Sequence, residues 1–533
     1  MRKRIWISFF ITLIYAGIMY YFTYPAINLT SFSFWIYVFG ILVVFSLLNA
    51  SSILSFSLDS LFSRKKRKNF HSIYILLIIP VALICILVVN FLLSPVFHSK
   101  SYYKRITVEV GDFSQDILEV DFNKLPLLDR DSSEKIGDRT MGQLSELVSQ
   151  FDVSEQYTQI NYQDEIVRVT PLEYNGFVKW FTNRRRGIKG YITVNSTTGS
   201  SQLVKLDKGL KYAPSAYFNE NLYRILQFQY PTYNFDSINF EIDNDGNPYW
   251  IASVVRYIGV GLKREVKGIV IFDPISGDSR YYKVSEVPLW VDHVYEADLI
   301  LEQVHDWGLY KNGYFNSLIG QKEVVATTEG YNYLAQNDDI YLYTGITSVV
   351  NDESNIGFIL TNLRTKKTIY YSVAGAEEYS AMDSAKGQVQ QMNYTSTFPL
   401  LINLHGRPTY LVSLKDNAGL VKMYGFVDVV DYQKVVVTDS SKGILEAADL
   451  YLAEVDEEEA SHGNYEKDIT VHNLSSAILN GNTFYYFEDD DGQKYKVSIQ
   501  TQKDYLPFLK EGSSIHIVYR TQSEVITITE IHW

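Results

Sequence analysis

Cysteine is almost absent from this chain: its 533 residues contain one, Cys85, within an apolar run. The region after residue 97 therefore has no disulfide available, and its stability must come from burial. Such usage fits a bacterial surface with a single membrane better than a eukaryotic secretory route, and it makes the sequons at Asn195 and Asn393 chance matches. No GxSxG, Walker-type loop or dinucleotide fingerprint stands in a strand-to-helix setting, and there is no HExxH. Basic charge is scarce after residue 97, where 40 Lys and Arg face 60 Asp and Glu. The resulting net charge of −20 disfavours nucleic acid or anionic lipid as a partner of the large region.

What the chain does have is three long apolar stretches in its first hundred residues: 5–22, 34–54 and 72–93. Each can cross roughly 30 Å of hydrocarbon as a helix. "MRKR" would also suit a signal-peptide n-region, but no small-residue cleavage site follows and two further stretches do. Arg2, Lys3 and Arg4 precede the first stretch, and Arg64, Lys65, Lys66, Arg67 and Lys68 separate the second from the third. The loop between the first two is uncharged. Because Lys and Arg near a span resist translocation, both basic runs belong in the cytoplasm and everything after about residue 98 outside. The 65–68 run resembles a nucleic-acid patch, but between two spans it is a topology determinant that can also touch anionic lipid. Pro80 is expected to kink the third span and Pro95 to end it. No ionisable residue interrupts the spans, which argues against an ion pathway through them.

The external region repeats itself. "IKGYITVNSTTGSSQLVKL" (188–206), "VKGIVIFDPISGDSRYYKV" (266–284) and "NIGFILTNLRTKKTIYYSV" (355–373) align without gaps, and "MYGFVDVVDYQKVVV" (423–437) is a weaker copy. Alternating β-branched and aromatic residues around a turn make each a β-hairpin, with Gly268, Asp273 and Gly277 read as turn residues. A helix is expected before each: 131–150, 219–230, 291–305 and 377–392. In the first, Asp131 and Glu134 form a capping box, and Leu144, Leu147 and Val148 line one face. The fold class is therefore α+β: a transmembrane region (1–97), a connecting segment (98–130), and helix-plus-meander units at 131–210, 211–288, 289–375 and 376–445. An acidic run (446–467) is expected as a solvated linker. The tail (468–533), with turns at Asn480-Gly481, Asp491-Gly492 and Glu511-Gly512, reads as a small OB-like barrel of five strands without a basic stripe.

A helix, an Asp-Gly turn before an aromatic strand, and a hairpin turn written Asp-x-x-x-Gly resemble the PepSY-type module of bacterial envelope and secreted proteins. The second unit carries the pattern best, through Asp245, Gly246, Tyr249, Asp273 and Gly277. In the first, Asn195 stands for the turn acid; in the third, Lys366 takes the turn-glycine position. With its three-span head and "PLLDRDSSEKIGDR", the chain also resembles a family of multi-pass envelope proteins of Gram-positive bacteria. That resemblance implies a location and supplies no activity.

Three features are candidates for chemistry. "EIDNDG" (241–246) and "EDDDG" (488–492) resemble the start of a calcium loop, but the twelfth position from Glu241 is Ala252, so hairpin turns are expected. Asp292, His293, Glu296, Asp298, Glu302, His305 and Asp306 cluster between 291 and 306 and read as an exposed acidic helix face. Arg184, Arg185 and Arg186 precede the first hairpin, with Lys263, Arg264 and Lys267 in a related place, and can contact an anionic polymer, lipid headgroups or a partner. The reading is a non-enzymatic scaffold, sensor or partner-binding protein of the cell membrane, without cofactor, metal or nucleic acid. The alternative is an accessory subunit of an envelope hydrolase or transporter.

Overall fold

The computed structural model describes residues 2–60, 77–143, 145–336, 338–348, 351–459, 465–479, 482–503, 505–519 and 525–532. It is α+β and divides into two compact units, residues 1–444 and 445–533. Helices α1 (Arg2–Thr23) and α2 (Phe32–Ser60) each contain an apolar window of 18 residues, long enough to cross a membrane. Helix α3 (Ile78–Leu92) has 15 residues, and α4 (Pro95–Tyr103) continues from it across a 53° bend. Pro80 lies in the first turn of α3, where a missing N–H removes no helical bond. The bend falls at Ser94 instead, and Pro95 opens α4 rather than ending helical structure. The expected cytoplasmic run Arg64 to Lys68 lies outside the described residues.

Four predominantly antiparallel sheets follow, spanning 151–210, 234–283, 325–376 and 395–439; here they are sheets I to IV. Helices α5 (Arg130–Gly142), α7 (Leu222–Gln229), α8 (Ala297–Tyr310) and α9 (Glu378–Gly387) precede them in turn, and α6 (Gly176–Asn183) is inserted within sheet I. The N-cap of α5 is Asp129, which accepts from the Ser132 N–H at 2.9 Å, two residues before the expected Asp131. Leu147 is buried, but Val148 is exposed, because α5 stops at Gly142 and a separate turn, Ser145–Val148, follows. Leu144 lies outside the described residues.

The repeated hairpins share one turn. Asn195, Asp273 and Asn362 each use Oδ1 to accept from the backbone N–H groups two and three residues on. The fifth turn residue is left-handed in all three: Gly199 (φ +73°), Gly277 (+85°) and Lys366 (+65°). Lys366 thus holds a conformation that favours glycine, so the third copy keeps the turn without the residue. Gly268 has a different reason from the expected one. It sits mid-strand opposite Lys283, and a Cβ there would collide with the Tyr282 carbonyl oxygen. Gly190 and Gly357 meet the Val204 and Tyr371 carbonyls in the same way.

The four sheets are not beads on a string. One apolar core joins sheets I and II around Trp180, Tyr191 and Trp250; another joins II and III around Ile251, Ile300 and Leu342; a third joins III and IV around Phe358 and Tyr410. Segment 98–130 is threaded through them. Val108–Gly111 adds a parallel strand to sheet III, Phe113 enters the third core, Val120 N–H donates to Asn403 O and Leu128 N–H to Ser196 O, each at 2.9 Å. Sheet IV in turn meets α5, through an ion pair from Lys415 to Asp129 and a Ser132 hydroxyl bond to Gly419 O.

The expected acidic linker is helical at its start. Helix α10 (Ile444–Glu459) buries Ala447, Ala448, Tyr451 and Val455 on one face, since its acids alternate with apolar residues at helical spacing. In the C-terminal unit one six-stranded sheet runs in the order 465–470, 514–519, 525–532, 494–498, 482–488, 472–479. The first and last of these segments are joined through Val471 alone, and the 494–498 and 525–532 strands pair in parallel. Its core holds Val471, Tyr495, Ile517 and Ile531. Gly492 and Gly512 are left-handed at the expected turns; Asn480 and Gly481 lie outside the described residues.

Candidate functional site

The acidic cluster is an exposed helix face only at Asp298 and His305. Helix α8 begins at Ala297, so Asp292 and His293 precede it, and both are buried. Glu241, wholly buried at the end of a sheet II strand, accepts from the Asp292 N–H (2.9 Å) and the His293 N–H (3.1 Å). Asp292 accepts from the Asn161 N–H at 2.8 Å, and His293 Nε2 lies 2.7 Å from the Gln159 carbonyl, an acceptor to which it donates. These residues weld sheets I and II to the entry of α8. Burial pushes the Asp292 carboxyl well above the usual range, with Glu241 adding like-charge repulsion, and burial likewise raises Glu241.

Of the remaining acids, Asp298, Glu302 and Asp306 are paired with two arginines, while Glu296 accepts from the Asn239 side-chain amide. Arg105, at the exit of α4, is buried and reaches Asp306 (2.5 Å), Glu302 (2.8 Å), Glu265 (3.3 Å) and the Arg264 carbonyl (3.0 Å). Arg264 pairs with Asp236, Asp298 and Glu302 at 2.9–3.2 Å. Burial raises the Asp306 carboxyl despite Arg105 beside it. Lys263 donates to the Ser101 hydroxyl at 2.9 Å, so it and Arg264 are joint residues, unlike the exposed Arg184 to Arg186 to which their sequence position likens them. Only a tertiary partner makes Arg105 important, and no local motif marks it.

The body is also fastened to the ends of its apolar helices. Asn90 of α3 exchanges two 2.9 Å hydrogen bonds with the Val260 backbone at a sheet II hairpin tip. In the loop between α1 and α2, the Ile27 N–H donates to Pro231 O at 2.7 Å and Thr30 O accepts from the Gly261 N–H at 3.1 Å. Arg224 donates to the Tyr21 carbonyl at 2.8 Å and lies over the Tyr21 ring.

Arg184, Arg185 and Arg186 follow α6 and line an open groove of about 700 Å³ with Lys189, Lys208 and Lys211. Among the described residues none of these six makes an ion pair, and Asp207 is the one acid in the lining. The Arg184 guanidinium lies 5.1 Å from the Phe181 ring centroid, a cation–π distance.

The calcium-like segments are turns. Asp243 accepts from the N–H groups of Asp245 and Asn247, and Asp489 from those of Asp491 and Gln493, so one carboxylate oxygen of each serves the backbone. Asp416 repeats the arrangement with Ala418 and Leu420. Asp489 additionally holds Lys467 and the Tyr495 hydroxyl, which keeps its carboxyl low against the cost of burial.

One cavity lacked any signal in the sequence. It measures about 350 Å³ and is lined by Leu118 and Leu125 of the threaded segment and by side chains of sheets I, III and IV. Asn161 and Asn403 are among its lining residues, together with the charged Glu119, Asp121, Lys124, Asp164 and Asp338. No protein-family model matches the chain, and no curated protein sequence matches it.

Proposed function

We propose that this chain is a membrane-anchored extracytoplasmic scaffold, sensor or partner-binding protein of the bacterial cell envelope. The observation that carries the reading is the fastening of the folded body to the helix ends through Arg105, Asn90 and Arg224, which turns a tethered domain into one held against its anchor. A three-span topology with a cytoplasmic N-terminus agrees with these contacts. The α1–α2 loop and the end of α3 meet the same sheet II region, as they must if α2 crosses inward and α3 returns. The helix-plus-meander units with their common turn support PepSY-like modules, and the C-terminal strand path, which returns to its own first segment through Val471, supports an OB-like barrel.

Photo-crosslinking in intact cells tests the reading. A benzophenone residue at exposed Leu118, on the threaded segment over the cavity, should capture a discrete envelope partner or ligand. Labelling no stronger than at an exposed control position, or turnover of an envelope polymer by the purified chain, would overturn it.

A further inference from the structure

We infer that the body lies down on the outer surface of its own bilayer, inserting two apolar feet, with the Arg184 to Arg186 flank on anionic headgroups. The first foot is α6, where Phe177, Val178 and Phe181 are 46%, 68% and 56% exposed while Trp180 is buried beneath them. This foot continues to the end of α1. Phe177 lies 6.4 Å from the exposed Phe218 ring, the neighbouring Asn219 accepts from the Tyr21 hydroxyl at 2.8 Å, and Phe22 beside it is 56% exposed. The first foot thus adjoins the end of α1.

The second foot is the segment after α8, where Phe315, Leu318 and Ile319 are 68%, 59% and 83% exposed. It stands beside α4, with Tyr310 in edge contact with Tyr102 at 6.1 Å and Gly313 next to Ser99. Both exposed apolar patches therefore sit where the chain leaves its apolar helices, which is the depth of the headgroup region. A soluble surface would hide such patches.

Charge agrees with this placement. The external region is strongly acidic overall, yet Arg184, Arg185 and Arg186 adjoin the first foot, and Lys100, Lys104 and Arg256 line a groove beside α4. The overall charge that disfavours anionic lipid is thus reversed on this face. Arginine flanking an aromatic helix places guanidinium at phosphate level while the rings enter the acyl boundary. A second copy of the chain is a poorer occupant, because it would have to lie where bilayer already adjoins the end of α1.

The inference rests on the apolar helices crossing a membrane, and one experiment separates the two. In full-length Cys85→Ser protein, single Val178→Cys, Ile319→Cys and Val430→Cys variants carry an environment-sensitive fluorophore in nanodiscs of phosphatidylcholine with or without phosphatidylglycerol. Val430 has the same 68% exposure as Val178 but lies in a sheet IV turn. Labels at 178 and 319 should be quenched by brominated acyl chains and shielded from iodide, with the reverse at 430. Replacing all three arginines, Arg184→Gln, Arg185→Gln and Arg186→Gln, should weaken docking at 178 roughly a hundredfold in anionic discs, at about fivefold per residue, and leave 319 docked. Iodide access at 178 and 319 equal to that at 430 would overturn the inference, as would shielding without lipid quenching, the mark of a protein cover. Docking at 178 indifferent to anionic lipid and to the arginines would overturn the headgroup contact. Failure of the chain to remain in discs after alkaline extraction would instead refute the membrane-crossing reading.

Discussion

Replacing Arg105 with methionine should cost the folded body about 4 kcal/mol, because breaking a buried ion pair from one side leaves the other charge unpaired. The structure sets how that cost divides. The Arg105 side chain is 1% exposed, and its carboxylate partners are Asp306 at 11%, Glu265 at 22% and Glu302 at 39% exposure. Glu302 keeps Arg264 and much of its water, so it loses little; Asp306, which burial already raises, loses most. Urea unfolding of the full chain in detergent, followed by tryptophan fluorescence, measures the loss. Adding Asp306→Asn should restore about 1–3 kcal/mol by removing the stranded charge. The pH dependence has a definite sign. A carboxyl whose folded pKa lies above its unfolded value binds more protons when folded, so the variant should regain stability as pH falls through that raised value, levelling off below about 3.9. A loss under about 1 kcal/mol, the size of a surface ion pair, would refute the reasoning, as would a deficit that deepens toward acid.

Glu241→Ala should destabilise by about 2–5 kcal/mol, since it strands the buried N–H groups of Asp292 and His293; hydrogen exchange at those two amides is the local readout. Gly268→Ala should cost more than Gly199→Ala, because the first forces a Cβ into the Tyr282 carbonyl whereas the second meets only the left-handed penalty of about 1–2 kcal/mol. Equal melting shifts for the two would contradict the strand-contact account. Asp489→Asn should weaken the C-terminal unit at neutral pH, the deficit shrinking as pH falls through the lowered carboxyl value, because a depressed carboxylate stabilises only while ionised. Exchange in strand 494–498 would report it. In a Cys85→Ser background, an impermeant maleimide on intact cells should label Thr198→Cys and spare Lys66→Cys; the opposite pattern would invert the topology.

What could be read in advance was what depends on neighbours in sequence. Apolar length marked α1 and α2, and side-chain alternation around Asn195, Asp273 and Asn362 marked the hairpins, because a turn closes on residues two to five positions away. Errors arose where a partner is far along the chain. Asp292 and His293 sit near helical text, but Glu241, Asn161 and Gln159 hold them in a buried loop. Gly268 lies in a hairpin, yet the need for glycine comes from the carbonyl of the facing strand.

The sequence by itself determined the α+β class, the apolar head, the order of helix and meander, and the basic flank at 184–186, all through local periodicity and charge. The tertiary structure alone decided that the sheets share cores, that segment 98–130 is a threaded strap, and that Arg105 ties the body to its anchor. It also decided that Phe177 lies beside Phe218 and that Tyr21 bonds to Asn219. A lone arginine or an exposed phenylalanine carries no local signature, because its energy depends on charges and surfaces brought up from distant parts of the chain.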